Sequence, residues 1–405
     1  MAERTQLRQG HYRDRQLLAQ ESEAGRVEEM LQALDVRGLD RTEPDGVGLV
    51  RFSWNGDADS GEVVDEVRRR CRERWNGWEA AVAPNHILTR GFAGVSEERM
   101  RAMSDDIGGP AGPAAPTADK LASRKGADPA GTGVTVGVAD TGAMRPASDW
   151  LHGSFLARPT DVDELAELDR RRLDPQDGHG TFIAGVILQH APGAVVRHAR
   201  VLDANGETDI QDLANAIERL GREGCDIINV SAGGRTRGVQ AMMAFGNALR
   251  SLPPTTVVVA AAGNHDPEDT ETDHAAPFWP AAVPGVVAVA ALDEPSRGLR
   301  MAGFSNFGPW VDVAAPGVDV FSTFLHFEND ETKYDGWATW SGTSFATPQV
   351  AGAIAARMTD DGVKVRSALD AKRALLAEAP YDPAVGRYLR PTPKIDRIRL
   401  TAAAH

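Results

Sequence analysis

The chain has 405 residues, 42% of them hydrophobic, with 44 Lys+Arg against 58 Asp+Glu and a formal net charge of −14. Length and apolar content support a large buried core, arranged as one big domain with a smaller companion. An acidic balance of this size argues against non-specific binding to nucleic acid or an anionic membrane, and it favours cationic ligands or substrates.

Two cysteines, Cys71 and Cys225, lie far apart and outside any C-x-x-C spacing, so neither a disulfide framework nor a zinc site is indicated. The first residues, M-A-E-R-T-Q-L-R-Q-G-H, lack the apolar core of a secretory signal, and the best apolar run, Val257 to Ala262, is only strand-sized. A soluble cytoplasmic protein with no membrane or nucleic-acid partner is expected.

Residues 1 to about 45 are highly charged, with a short helix predicted around Val27, Met30, Leu31 and Leu34. Residues 47–54, V-G-L-V-R-F-S-W, predict a strand. Residues 61–75 predict an amphipathic helix with Val63, Val64, Val67 and Cys71 on its apolar side, and Ala81 to Leu88 a second strand. A small α+β module over about 46–90 is expected, inside an N-terminal region of 1–103. A Gly, Pro, Ala and Asp-rich stretch over 104–133 then reads as an exposed connection, leaving 134–405 for the larger domain.

From Val134 onward, apolar strands alternate with helices. Strands are predicted over 134–139, 195–202, 226–230 and 257–262, with helices over 180–188, 210–220 and 239–250. Continuous apolar strands separated by helices predict an α/β fold: a mostly parallel sheet covered on both faces. In such sheets, sites lie beyond the carboxyl ends of the strands.

The stretch Trp340 to Met358, W-S-G-T-S-F-A-T-P-Q-V-A-G-A-I-A-A-R-M, predicts a helix that begins at Ser344, with Pro348 in its first turn. Read alone it is either an Ala/Gly-rich buried helix with a capping serine or a mount for a nucleophile. Asp140 ends the first buried strand, where turn chemistry and a functional carboxylate are both open readings. His179 has glycine on both sides, and flanking glycines allow close approach of backbone and ligand. Asn264 follows the strand V-V-V-A-A-A-G. Together these four supply a nucleophile, a base, a carboxylate to orient the base, and an oxyanion donor, which is the set that acyl transfer needs.

V-A-D-T-G at 138–142, D-G-H-G-T at 177–181, N-V-S-A-G-G at 229–234, A-A-A-G-N at 260–264 and S-G-T-S-F-A-T-P at 341–348 resemble the signature blocks of subtilisin-like serine proteases. The order Asp, His, Ser along the chain is also that of subtilisin. The resemblance implies a serine endopeptidase with no cofactor and no catalytic metal. Ser344 would attack the scissile carbonyl, His179 would carry the proton, and Asp140 would orient the imidazole. Asn264 and the Ser344 backbone N–H would hold the oxyanion. Ser231, Ala232 and Gly233 would pair with an extended peptide or protein substrate.

The N-terminal module resembles the propeptide of these enzymes, an intramolecular inhibitor that caps the cleft. Self-cleavage would then fall between Leu88 and about Ala111, and an adaptor or binding domain stands as the alternative.

The family's calcium-binding interruption after the catalytic His is not matched by G-V-I-L-Q-H-A-P-G-A-V-V. In D-A-N-G-E-T-D, at 203–209, the glycine comes too early for an EF-hand loop. By position in the family, Glu207 and Asp209 border the pockets for residues two to four before the cut and would favour basic side chains there. The loop after Asn264 carries Glu268, Asp269, Glu271 and Asp273 near the primary specificity pocket, whereas Phe278 at its floor would favour small residues. A peptide-binding scaffold on the same fold is the rival class. An α/β-hydrolase is disfavoured because Ser344 lacks the G-x-S-x-G elbow, and a dinucleotide site because G-T-G at 131–133 precedes its strand.

Overall fold

A run of β-branched and small residues forms the axis of the molecule. In the computed structural model, β4 (Thr135–Asp140) is the strand from which the larger sheet spreads in both directions. The structure describes residues 12–34, 36–89, 112–113, 130–143, 155–156, 161, 173, 176–203, 206–236, 240–265, 273–293, 298–329, 332–360 and 363–391. On one side β4 pairs in parallel with β5 (Val195–Arg200); on the other it pairs in parallel with β7 (Ile227–Val230). β7 continues in parallel to β8 (Val257–Ala261), β8 to β9 (Val287–Asp293), and β9 to β10 (Val313–Pro316). The chain order therefore reverses at β4, and a crevice opens beyond the carboxyl ends of β4, β7 and β8.

Helices cover both faces. α3 (His179–His190) and α6 (Thr343–Arg357) pack with Val134, Val136, Val138, Val257 and Val259 on one face. The other face is covered by α4 (Ile210–Arg222) and α5 (Gln240–Ser251), through Leu213, Ile217, Leu220, Phe245 and Ala248. The buried residues of α4 recur at helical spacing, and Asp209 caps it by accepting from the Asp212 N–H at 3.0 Å.

α6 begins at Thr343 rather than Ser344, and Pro348 sits inside the helix rather than in its first turn. A proline there withholds the N–H that the Ser344 carbonyl would otherwise accept. Ser231 makes good the loss: its Oγ donates to that carbonyl at 2.9 Å.

Ahead of α6 lies an antiparallel hairpin, β11 (Val320–Glu328) and β12 (Lys333–Trp340), with no counterpart among the predicted strands. It walls the crevice with Phe324 and Trp340, which cluster with Phe182 and Phe345. α7 (Ala368–Glu378) packs on α6 and supplies Ala368 and Ala371 to the same core. Among the described residues, no helix is long and apolar enough to cross a membrane.

The N-terminal module starts earlier than the predicted strand at 47. β1 (Tyr12–Gln20) is its central strand, antiparallel to both β2 (Leu49–Ser53) and β3 (Val82–Thr89). Charged Arg13, Asp14 and Arg15 mask this strand in the sequence, although Leu17, Leu18 and Ala19 are buried. α1 (Ala24–Ala33) and α2 (Ser60–Arg74) close a separate core over Val27, Leu31, Phe52, Val64 and Val67. The sheet's other face lies on α4 and α5, where Leu18, Val47, Leu49 and Leu88 join the core of the larger domain.

Polar contacts fix that docking. Asp45 accepts from Gln211 Nε2 at 2.7 Å and Asn215 Nδ2 at 2.9 Å, while Asn247 Nδ2 donates to the Val47 carbonyl at 2.9 Å. Beyond the module, β3 adds an antiparallel pairing to β6 (Glu207–Asp209), with Leu88 opposite Thr208.

Candidate active site

Asp140 is the last residue of β4 and is fully buried. Its Oδ1 accepts from the Thr141 N–H at 2.8 Å and lies 2.7 Å from His179 Nδ1. A carboxylate on Nδ1 selects the tautomer that carries its proton there, leaving Nε2 as the acceptor.

His179 opens α3 directly after Gly178, whose φ of 79° is left-handed. Gly180 brings this turn against the loop after Asp140: its N–H donates to Thr141 Oγ1 at 3.2 Å, and a Cβ there would overlap the Gly142 carbonyl oxygen. Here glycine is required by close approach of two backbones, one bearing the carboxylate and the other the imidazole. The ring stands edge-on to Trp340, with centroids 5.3 Å apart, and 5.2 Å from the Phe345 ring. These aromatic walls bury the imidazole to 1% exposure.

Ser344 is the second residue of α6, where the backbone N–H groups lack intrahelical partners and the helix dipole is positive. Its Oγ donates to the Ser231 carbonyl at 3.1 Å. Ser231 is itself held by Asn229 Nδ2, which donates to its Oγ at 3.0 Å.

Asn264 follows β8 through Gly263, whose φ is 83°. Its Oδ1 accepts twice from Thr343, from the N–H at 2.9 Å and from Oγ1 at 3.0 Å. Two donors on one end of the amide orient the group and turn Nδ2 the other way. Thr343 is thus a positioning residue that sequence reasoning passes over; its only signal is its place in the S-G-T-S block.

Ser231, Ala232 and Gly233 leave the end of β7, and the next residue, Gly234, exchanges backbone hydrogen bonds with Trp279 at 2.9 and 2.8 Å. β3 of the module passes close by: a Cβ on Gly234 would lie 2.9 Å from Leu88 Cδ2. Glu207 and Asp209 lie on β6, opposite Thr89 and Ile87. Asp209 is buried, with Oδ1 capping α4 and Oδ2 3.4 Å from Arg13, so its carboxylate serves the module interface. Glu207 is only half-buried. Glu268, Asp269 and Glu271 lie outside the described residues, as do residues 204–205 of the acidic turn and almost all of the stretch in which self-cleavage is expected. Phe278 is buried, with its ring between Gly233 and Gly263.

One further imidazole lies near the centre. His198 on β5 pairs with Val138 of β4, and burial holds it down to about 4, against the opposing pull of Asp140 and Asp161. It is neutral at pH 7.

A parallel sheet, a buried helix with the serine in its first turn and a buried aspartate–histidine pair define a protein of the subtilisin-like α/β class. The chain belongs to the subtilase family: the family profile, Peptidase_S8, matches residues 131–383. It is 33% identical over 253 residues to the thermophilic serine proteinase of Bacillus sp. (strain AK1), a match covering 59% of this chain and 56% of that protein. The chain therefore spans little more than half the length of this relative. With thermitase of Thermoactinomyces vulgaris it shares 32% identity over 270 residues, covering 64% of this chain and 85% of thermitase. The fold is also that of fervidolysin from Fervidobacterium pennivorans, a keratinolytic enzyme related to subtilisin. That superposition has a TM-score of 0.64 at 20% identity and covers 95% of this chain and 61% of fervidolysin.

Proposed function

We propose that this chain is a serine endopeptidase that cleaves extended peptide segments and removes its own N-terminal module. The observation that carries the reading is the buried 2.7 Å contact between His179 Nδ1 and Asp140, at the carboxyl end of the sheet, where Ser344 lies in the first turn of α6 and Thr343 aims the Asn264 amide.

In this mechanism the Ser344 hydroxyl turns from the Ser231 carbonyl to His179 Nε2 and attacks the scissile carbonyl as the imidazole takes its proton. Asp140 stabilises the resulting imidazolium without itself taking the proton. Charge developing on the carbonyl oxygen is met by Asn264 Nδ2 and the Ser344 N–H, both preorganised. The imidazolium then protonates the leaving amine, and water repeats the sequence on the acyl-enzyme.

The module acts as an intramolecular inhibitor. Support comes from β3, which lies between β6 and Gly234 and so takes the edge an extended substrate would use. Glu207, half-buried on β6, favours basic residues upstream of the cut.

Mass spectrometry of the purified wild type and Ser344→Ala chains tests the reading. The wild type should shorten by loss of the module while the variant stays at 405 residues. A fluorophosphonate should label Ser344 in the wild type. A wild type that stays full length yet is fully active would overturn the inhibitory role, and one that resists labelling would overturn the activity.

A further inference from the structure

β7 and β8 are parallel neighbours, with Val230 opposite Ala260, so the segments that follow them leave the sheet side by side. One carries Ser231 to Gly234 and the other Ala262 to Asn264. Between them is a gap, and the ring of Phe278 stands in it. A Cβ on Gly233 would lie 2.5 Å from Phe278 Cε1, and a Cβ on Gly263 would lie 2.7 Å from Cε2 and Cζ. Opposite edges of one ring thus touch the two glycines that flank the gap.

The ring is pinned there. Trp279, the next residue, exchanges both backbone hydrogen bonds with Gly234, and the Phe278 carbonyl accepts from the Ala282 N–H at 2.8 Å. Behind the Gly263 side, Asn306 Nδ2 donates to the Ala262 carbonyl at 3.0 Å, and Arg235 donates to Asn306 Oδ1 at 3.0 Å. Phe278 itself is 1% exposed. A side chain so enclosed cannot swing aside for a ligand without breaking core packing.

A peptide attacked by Ser344, with its carbonyl oxygen toward Asn264 Nδ2 and its backbone along Ser231 to Gly233, directs one side chain into this gap. That side chain belongs to the residue whose carbonyl is cleaved. Resting on the endopeptidase reading, we infer that Phe278 is the residue that sets specificity at this position, and that the enzyme cleaves after glycine, alanine or serine. The aromatic floor leaves room for a hydrogen, a methyl or a hydroxymethyl group. Among the described residues it also supplies no carboxylate for a basic side chain: Asp273, in the adjoining loop, accepts from the Ala275 N–H at 3.0 Å and stays with its own turn.

The test is a peptide series that varies only the residue before the scissile bond, assayed with the full chain as purified and with Phe278→Ala and Phe278→Leu. The wild type should show kcat/KM for Gly, Ala and Ser about tenfold or more above that for Leu, Phe, Lys and Arg, the scale set by one misfit methylene or more. Shortening Phe278 should raise cleavage after Leu and Phe relative to Ala. The wild-type profile decides the matter even if neither variant folds. Fluorophosphonate labelling of Ser344, which needs no pocket, is read alongside. Labelling with equal or better cleavage after a large or basic residue, or with no cleavage after a small one, overturns the pocket assignment alone. Absence of labelling overturns the endopeptidase reading and this inference with it.

Discussion

Ser231 and Ser344 hold each other by reciprocal hydrogen bonds: Ser231 Oγ donates to the Ser344 carbonyl at 2.9 Å, and Ser344 Oγ donates to the Ser231 carbonyl at 3.1 Å. The first bond exists because Pro348 has no N–H to offer that carbonyl. The segment that leaves β7 is thereby tied to the first turn of α6, which carries Ser344.

This relationship predicts a non-additive pair of substitutions. Ser231→Ala leaves a buried carbonyl without its donor and should cost about 1–3 kcal/mol in urea unfolding. Pro348→Ala returns an N–H four residues along the helix. In that background the cost of Ser231→Ala should fall by half or more, a coupling that a double-mutant cycle reads directly. Equal costs in both backgrounds would remove the proline from the explanation.

Thr343→Val keeps the N–H that bonds Asn264 Oδ1 but removes the Oγ1 donor at 3.0 Å. The Asn264 amide then gains freedom, and its Nδ2 is less well aimed when charge develops on the substrate. Loss of one neutral hydrogen bond, about 1 kcal/mol, corresponds to roughly a fivefold drop in kcat with KM little changed. Asn264→Ala removes the donor itself and should cost on the order of 10²–10³ in kcat, a magnitude whose measured example comes from this same family. A change in KM alone for Thr343→Val would assign the hydroxyl to substrate binding instead.

Asp140, His179, Asn264 and Ser344 are legible in the sequence because each lies within a few residues of a strand end or a helix start whose apolar run is itself legible. Their partners are harder to read. Thr343 and Asn264 are 79 residues apart, and Ser231 and Ser344 are 113 apart, so both pairings are facts of tertiary structure with no local periodicity to announce them. The β11–β12 hairpin escapes notice because its turn, around Glu328 to Lys333, contains neither glycine nor proline. β1 is hidden by Arg13, Asp14 and Arg15 at its exposed end, whereas Leu17 to Ala19, which bury, are too short a run to mark a strand. Asp209 shows the opposite difficulty. Its charge is plain in the sequence, but only the fold shows it capping α4 and facing Arg13.

Gly180→Ala tests how closely the two halves of the Asp140–His179 pair are coupled. A methyl group there meets the Gly142 carbonyl oxygen, so either α3 or the loop after Asp140 must move. Overpacking of this kind costs about 1–3 kcal/mol. Activity should fall further than stability, because the shift opens the contact from His179 Nδ1 to Asp140 Oδ1, 2.7 Å in the native chain. Thermal melts and the rate of fluorophosphonate labelling, measured on the same preparation, separate the two effects. Parallel, proportionate losses would make Gly180 a packing residue only.

His198 predicts the acid limb of stability. Burial lowers its pKa from 6.5 to about 4 in the folded chain, with Asp140 and Asp161 pulling weakly the other way. Between those values the unfolded chain binds a proton that the folded chain does not, so stability rises with pH across the window. The full stability is present above about pH 6.5; it declines as pH falls toward 4 and then levels off for this group. A shift of this size corresponds to about 3 kcal/mol at most. Urea unfolding at pH 7 and pH 4.5 should show His198→Gln losing less stability than the wild type over that interval, whatever its stability at pH 7. If both chains lose the same amount, the acid sensitivity belongs to other groups, and the imidazole of His198 is not held neutral by the fold.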